Sequence, residues 1–277
     1  MRLDVKKTYK LFIGGAFPRS ESGRSYEIKN KRGAFIANPA QASRKDLRDA
    51  VLAAKNAHPG WSNATAFNRG QILYRIAEML EGRTSQFVDE IVATTGVTSS
   101  VAKQEVSAAI DLWVWYAGWC DKITSVSGNN NPIAGPYYNF TIPESLGVIG
   151  IIAEEKESLL GLVRSLAPVI AGGNTSLLIA SQSRPLAAIT LAEVLATSDL
   201  PAGVVNILTG IKTELAPWLA SHMEIDGLDL SGIDNIAELR KSGAENLKRI
   251  HSFEKDVSPE RILSFMEFKT IWHPVGI

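Results

Sequence analysis

Leu146-Gly147-Val148-Ile149-Gly150-Ile151-Ile152 decides how the chain reads. Its apolar residues do not alternate with polar ones, as expected of a strand buried on both faces, and such strands belong to parallel sheets covered by helices. The residues that follow repeat the unit. A helix is predicted over 159–171, and Gly172-Gly173-Asn174 turns into a strand over 176–180. Pro185 opens a helix that runs to Ala196, since proline is tolerated at a first helical position. Leu200-Pro201-Ala202-Gly203 turns into a strand over 204–208, a helix is predicted over 214–221, and Leu228-Asp229-Leu230-Ser231-Gly232 reads as the next strand and turn. Alternation with short loops implies an α/β fold with a doubly wound parallel sheet, which holds nucleotides at the carboxyl ends of its strands. An amphipathic helix is expected over 237–250, and the run 263–272 ends in the alternation of a half-exposed strand.

The segment before the sheet is different. Residues 9–40 read as short strands and turns, with a hairpin at Gly14-Gly15. Ser43, with Asp46 three residues on, marks a capping box and the first clear helix, expected to end at Pro59-Gly60. Helices are predicted over 67–81, 84–94 and 99–123 with no strand between them, so this half is not a simple αβ repeat. Gly128-Asn129-Asn130-Asn131-Pro132 reads as a polar loop, and 137–142 as a strand. The organisation expected is 1–125 for N-terminal strands and helices, 126–146 for a protruding β-hairpin, 147–257 for the αβ core and 258–277 for a C-terminal strand.

Composition narrows the function. The 277 residues carry 29 Lys and Arg against 29 Asp and Glu, and this balance argues against a nucleic-acid partner, which demands a basic face. A chain of 30.0 kDa should fold to roughly 11,700 Å² of surface, enough to enclose a core without disulfides. No apolar run reaches the ~18 residues of a membrane span, and no apolar stretch follows the basic residues near Met1. Cytoplasmic location is the expectation, and the sequons at Asn63, Asn139 and Asn174 are then chance matches. Cys120, the single cysteine, excludes an internal disulfide and a cysteine-rich metal site.

Several stretches, in order, resemble the aldehyde dehydrogenase superfamily. They are Asn38-Pro39-Ala40 with the helix ending near Trp61, Tyr116-Ala117-Gly118-Trp119-Cys120-Asp121-Lys122-Ile123, the strand at 144–152, Leu162 to Pro168 with Gly172-Gly173-Asn174-Thr175, and Leu200-Pro201-Ala202-Gly203-Val204-Val205-Asn206. The resemblance implies an atypical Rossmann sheet without G-x-G-x-x-G, and an oligomerisation sheet built from the hairpin and the C-terminal strand, whose last strand crosses to a partner subunit. It implies as partner a second copy or an intact aldehyde dehydrogenase, and neither nucleic acid nor membrane.

The departures from the family concern its chemistry. The resemblance implies a cysteine nucleophile in a second domain, but after Ala244-Glu245-Asn246-Leu247-Lys248-Arg249-Ile250 the family's general-base segment Glu-Leu-Gly-Gly is replaced by Phe253-Glu254-Lys255-Asp256. Phe268-Lys269-Thr270-Ile271-Trp272 then resembles the family's last strand, so the simplest reading is an internal deletion of the catalytic domain. Pro-Trp-Asn-Phe-Pro is replaced by Glu154-Glu155-Lys156-Glu157-Ser158, with Lys156 where an oxyanion-hole asparagine stands. The ribose-binding Lys-Pro-Ala-Glu is replaced by Ile179-Ala180-Ser181-Gln182. No catalytic residue and no metal ligand is assigned. Ile152, Gly210 and Gly232 are candidates for a vestigial cofactor pocket, with NAD(P) bound weakly if at all. A non-catalytic partner protein is expected; the alternative is an NAD(P)-dependent aldehyde oxidoreductase that works only with a partner subunit.

Each candidate also has a plainer reading. Cys120 lies on an amphipathic helix and reads as structural. His58, His222, His251 and His273 are scattered singly, without metal-ligand spacing. Glu254, one position off the family's base, reads as solvated loop. The Glu154–Glu157 run reads as carboxylates at a helix N-terminus. Gly210 and Gly232 could each be simple turn residues.

Overall fold

The computed structural model describes residues 6–234 and 236–276. Four helices come first: α1 (Arg44–Ser62), α2 (Ala66–Glu81), α3 (Thr84–Thr95) and α4 (Ser99–Trp119), after the short pair β1 (Ile28–Lys29) and β2 (Phe35–Ala37). Ser43 caps α1 in the expected box, its hydroxyl accepting from Asp46 N while the Asp46 carboxylate accepts from Ser43 N. Gly14-Gly15 forms the expected tight turn between Ile13 and Ala16, and Phe12 before it bonds antiparallel to Ile207.

The αβ core follows as β5 (Val148–Ile152), α6 (Leu160–Ala171), β6 (Thr175–Ile179), α7 (Leu186–Leu195), β7 (Val205–Leu208), α8 (Lys212–Ser221), β8 (Gly227–Asp229), α9 (Ala237–Ala244) and β9 (Arg249–His251). Its five strands are parallel in the order β7-β6-β5-β8-β9, so the order reverses at β5. Every residue of β5, β6 and β7 is buried. Alternate side chains feed two cores. Ile149, Ile151, Leu178 and Ile207 meet the layer of α2, α3, α4, α6 and α7. Val148, Ile152, Leu177 and Leu208 meet α1 and α8 on the opposite face. This is the doubly wound arrangement that the uninterrupted apolar strands require.

A second sheet stands off this body. It comprises β3 (Asn129–Asn130), after the short helix α5 (Ile123–Ser127), with β4 (Tyr137–Ser145) and β10 (Met266–Pro274), in the order β10-β4-β3. β10 follows the single turn α10 (Glu260–Leu263) and pairs along all nine residues with β4 of the same chain. Asn174 roots this sheet in the body, its amide accepting from Gly147 N and donating to the Phe265 carbonyl, both at 2.9 Å. The accessible surface is 13,170 Å². That is roughly 1,500 Å² above the value expected for a globule of this mass, and the projecting sheet contributes to the excess.

Four local expectations are corrected. The helix expected to stop at Pro59-Gly60 continues to Ser62, because Trp61 is buried and donates its indole N–H to Ile170 O at 3.0 Å. Proline forfeits one helical bond there, and Lys55, whose carbonyl loses that partner, faces solvent. The helix expected to reach Ile123 ends at Trp119, where Cys120 N bonds Ala117 O and Lys122 N bonds Trp119 O in tightened turns. Asn129 and Asn130, expected in a loop, form β3. The helix expected over 237–250 is two elements. It stops at Ala244, Leu247 takes a φ of +59°, and Lys248 N closes the turn onto Gly243 O before β9.

Replacing Trp61 with alanine removes a large buried ring and leaves the Ile170 carbonyl without that donor. The expected loss is about 3–5 kcal/mol of folding free energy, measured by urea denaturation, whereas exposed Trp218→Ala should stay within about 1 kcal/mol.

Candidate functional site

The carboxyl ends of β5, β6, β7 and β8 converge where a doubly wound sheet offers its ligand crevice. β5 leads into Ala153-Glu154-Glu155, β6 into Ala180-Ser181-Gln182-Ser183, β7 through Thr209-Gly210-Ile211 into α8, and β8 into Leu230-Ser231-Gly232. A cavity of about 420 Å³ remains there, bounded by Glu155, Gln182, Ser183, Lys212, Thr213, Gly232, Ile233 and Asp234.

Glu155 fills the centre. Its carboxylate accepts from Ser181 Oγ at 2.8 Å, Gln182 N at 2.9 Å, Ser183 N at 3.0 Å and Ser183 Oγ at 2.5 Å. The Lys212 ammonium lies 2.5 Å from Oε1, the oxygen that also accepts from Gln182 N. Lys212 is buried, donates to Gly232 O at 3.0 Å, and also bonds Ala153 O. Gln182 turns its own side-chain oxygen to Lys212 N at the start of α8. Burial works against ionisation of Glu155, yet donation from Lys212, Ser183 and Gln182 outweighs it and holds the carboxyl at about 2. Burial also lowers the Lys212 pKa, and the carboxylate opposes that shift.

This geometry places the three candidate pocket residues unequally. Ile152 is fully buried at the end of β5 and is not among the residues that bound the cavity. Gly232 does line the cavity, but it is needed as glycine because a side chain there would overlap the Ile152 and Ala153 carbonyls. Gly210 has a φ of +154° and packs on Ala42 and Leu215, away from the cavity lining. Ile179, where the resemblance implies a ribose-binding lysine, is buried within β6. The donors at Ser181, Gln182 and Ser183 are already taken by Glu155. The Glu155 and Asp234 carboxylates make this lining a poor match for a pyrophosphate, since a carboxylate at ~4 Å from a phosphate repels by about 1 kcal/mol even in water.

The neighbouring glutamates are not the helix-terminal residues expected. Glu105 of α4 instead accepts from the first free amides of α6, Leu159 N at 2.9 Å and Leu160 N at 3.3 Å. Glu157 and Glu154 grip the buried Arg164 guanidinium at 2.7 and 3.4 Å, and Lys255 adds a bond to Glu157 at 2.7 Å. Arg261, also buried, lies 3.8 Å from Asp229 and 4.4 Å over the Phe253 ring. The linker 252–264 is thus clamped by charge over the end of β8.

The remaining candidates follow their plainer readings. Cys120 is 1% exposed and donates to Tyr116 O, and burial pushes its thiol up to about 12. Glu254 is exposed. His58 meets Ser145, His222 accepts from Glu224 N, His251 stacks on Phe253, and His273 sits on β10. Among the described residues no group of His, Cys, Asp or Glu could hold a metal ion. Lys212, Arg164 and Arg261 carry the site's electrostatics without having been singled out by sequence, since a lone basic residue carries no periodic or spacing signal.

Comparison with known proteins follows from this geometry. The profile of the aldehyde dehydrogenase family matches residues 17–253. The mitochondrial 10-formyltetrahydrofolate dehydrogenase of Mus musculus is 32% identical over 90% of this chain and 28% of its own length. Omega-crystallin of Enteroctopus dofleini is 29% identical over 89% of this chain and 50% of its own. The solved structure of an aldehyde dehydrogenase from Bacillus cereus superposes with a TM-score of 0.84 at 26% identity, covering 88% of this chain and 50% of that one. The chain thus spans half or less of the length of these relatives.

Because the folded Glu155 carboxyl lies below its ordinary value, its contribution to stability is complete above about pH 4.5 and disappears as pH falls towards about 2. Glu155→Gln should therefore be less stable than the parent at pH 7, with the gap closing between pH 4.5 and 2 in denaturant titrations. An equal gap at both ends would show that the ionised carboxylate is not what stabilises the crevice.

Proposed function

The chain belongs to the aldehyde dehydrogenase family, and from that premise we propose that it is a member that oxidises no aldehyde by itself and acts as an association or regulatory subunit. The observation that carries this reading is Glu155, an internal carboxylate that consumes the donors of the dinucleotide crevice.

Aldehyde oxidation in the manner of the family needs a thiolate, a base and a bound hydride acceptor. The chain's sole thiol is buried with a raised pKa, and Glu254 has no nucleophile to activate. What is kept is the scaffold and a sheet with exposed Phe268, Trp272, Tyr137 and Tyr138. A surface of that kind suits association, with a second copy or with an intact aldehyde dehydrogenase, by strand addition. The neutral charge suits a protein partner rather than nucleic acid, and no helix among the described residues is long and apolar enough to cross a membrane. Cytoplasmic location is part of the same reading.

Calorimetry with NAD or NADP at millimolar concentration should give no binding heat, and purified chain with aldehyde and either dinucleotide should form no reduced cofactor. Sizing should show self-association or a complex with an added intact family enzyme. Dinucleotide reduction by the chain alone, or a lone monomer even with that enzyme present, would overturn the proposal.

A further inference from the structure

A second cavity, of about 590 Å³, lies between the start of α1 and the end of α8, where Glu21, Arg44, Lys45, Arg48, Trp218 and His222 are among its walls. That volume is within the range of small-ligand sites. Lys212 and Thr213, which line the crevice, stand at the opposite end of α8, so the two cavities are separate. Three cations and one carboxylate belong to the new lining. Glu21 is already engaged, accepting from Ser43 Oγ at 2.8 Å. Lys45 and Arg48 approach Asp49 at 3.7 and 3.9 Å, beyond good hydrogen-bond reach. Among the described residues no carboxylate pairs with Arg44, whose guanidinium lies over the Trp218 ring, 3.7 Å from its centroid.

We propose that this cavity binds a small phosphorylated metabolite that carries a second anionic group, with Arg44 and Arg48 as its anchors. A guanidinium lying on an aromatic face keeps its N–H edge free, and that planar edge matches two phosphoryl oxygens at once. Trp218 thus holds Arg44 ready. Arg48 stands one helical turn further along α1, about 6 Å away, so one compact ligand meets both. Lys45 adds a third positive charge to the same wall. His222 accepts from Glu224 N at 3.2 Å through Nδ1, so its neutral ring carries the proton on Nε2 and can donate it in a hydrogen bond.

Charge selects a multiply anionic ligand. Arg44, Lys45 and Arg48 set against Glu21 and Asp49 leave a positive balance before His222 is counted. A terminal phosphate brings a charge of about −1.5 to −2 at neutral pH, and a second anionic group meets the neighbouring cation. A monocarboxylate brings too little charge to draw Lys45 and Arg48 away from Asp49. The three cations are exposed, so binding costs little desolvation, and it weakens as salt screens the charges. The contrast with the crevice is direct. There the Lys212 ammonium is already paired with Glu155, whereas Arg44 has no internal anion. The inference is therefore independent of how the crevice is read.

Calorimetry of the full chain with inorganic pyrophosphate tests the site, because that probe holds two phosphoryl groups in one compact anion. Saturable binding is expected, weaker as salt rises. Arg44→Gln and Arg48→Gln should each reduce affinity about tenfold or more, the loss expected for one charge-assisted contact. Lys103→Gln, which removes an exposed cation on α4, should leave affinity unchanged. All three side chains are exposed, so the variants should unfold at the parent's temperature, and a lost contact is then distinct from a lost fold. Binding should also shift the tryptophan emission, and Trp218→Phe should remove that shift. Absence of pyrophosphate binding would overturn the proposal. So would an equal loss in Lys103→Gln and Arg44→Gln, which would show diffuse attraction to surface cations only. Binding of polyglutamate but not of pyrophosphate would overturn the small-ligand class.

Discussion

The closed crevice depends on one buried ammonium, that of Lys212. An ammonium removed from water costs several kcal/mol unless it is paired and hydrogen-bonded. Lys212 meets that demand with the Ala153 and Gly232 carbonyls and the Glu155 carboxylate, three acceptors from the ends of β5 and β8. Glu155 in turn holds the loop after β6 through Ser181, Gln182 and Ser183. The strand ends that a Rossmann-like sheet normally keeps apart for a ligand are bound to one another. Opening the crevice would strand a buried cation.

The same logic extends to the linker beyond β9. The linker 252–264 is held down by Arg261 on Asp229 and Phe253 and by Lys255 on Glu157. Arg164, buried beneath, has both carboxylates it needs within the chain. Charged pairs that hold a buried guanidinium thus recur around this linker. The projecting sheet is the opposite case. Its root is fixed by Asn174, but its tip presents aromatic side chains and unpaired backbone to solvent.

Much of the fold was legible because its signals are local and repeated. The uninterrupted apolar runs of β5, β6 and β7, the box at Ser43 and the turn at Gly172-Gly173 each announce themselves within a few residues. The misreadings share a cause: tertiary contacts overrode local preference. Trp61 carries α1 past Pro59 by reaching the Ile170 carbonyl. β9 is too short to show a period, and Leu247 adopts a backbone conformation that no apolar pattern suggests. Of the crevice, the sequence exposed its chemical misfit with a dinucleotide but not its mechanism. Glu155 was visible as a charge out of place, whereas the lysine that holds it lies 57 residues on and is unmarked by any motif. Glu105 likewise caps α6 from a different helix.

The account stands most directly on the ionisation of Glu155. Carbon-13 NMR of the side-chain carboxyls, with Glu155 assigned by comparison with Glu155→Gln, follows that group alone through acid titration. A midpoint near 2, well below its neighbours, is the result predicted by a carboxylate gripped by Lys212 and the loop after β6. A midpoint in the ordinary glutamate range, about 4.3, would mean that the group stands free in solvent and the crevice is open.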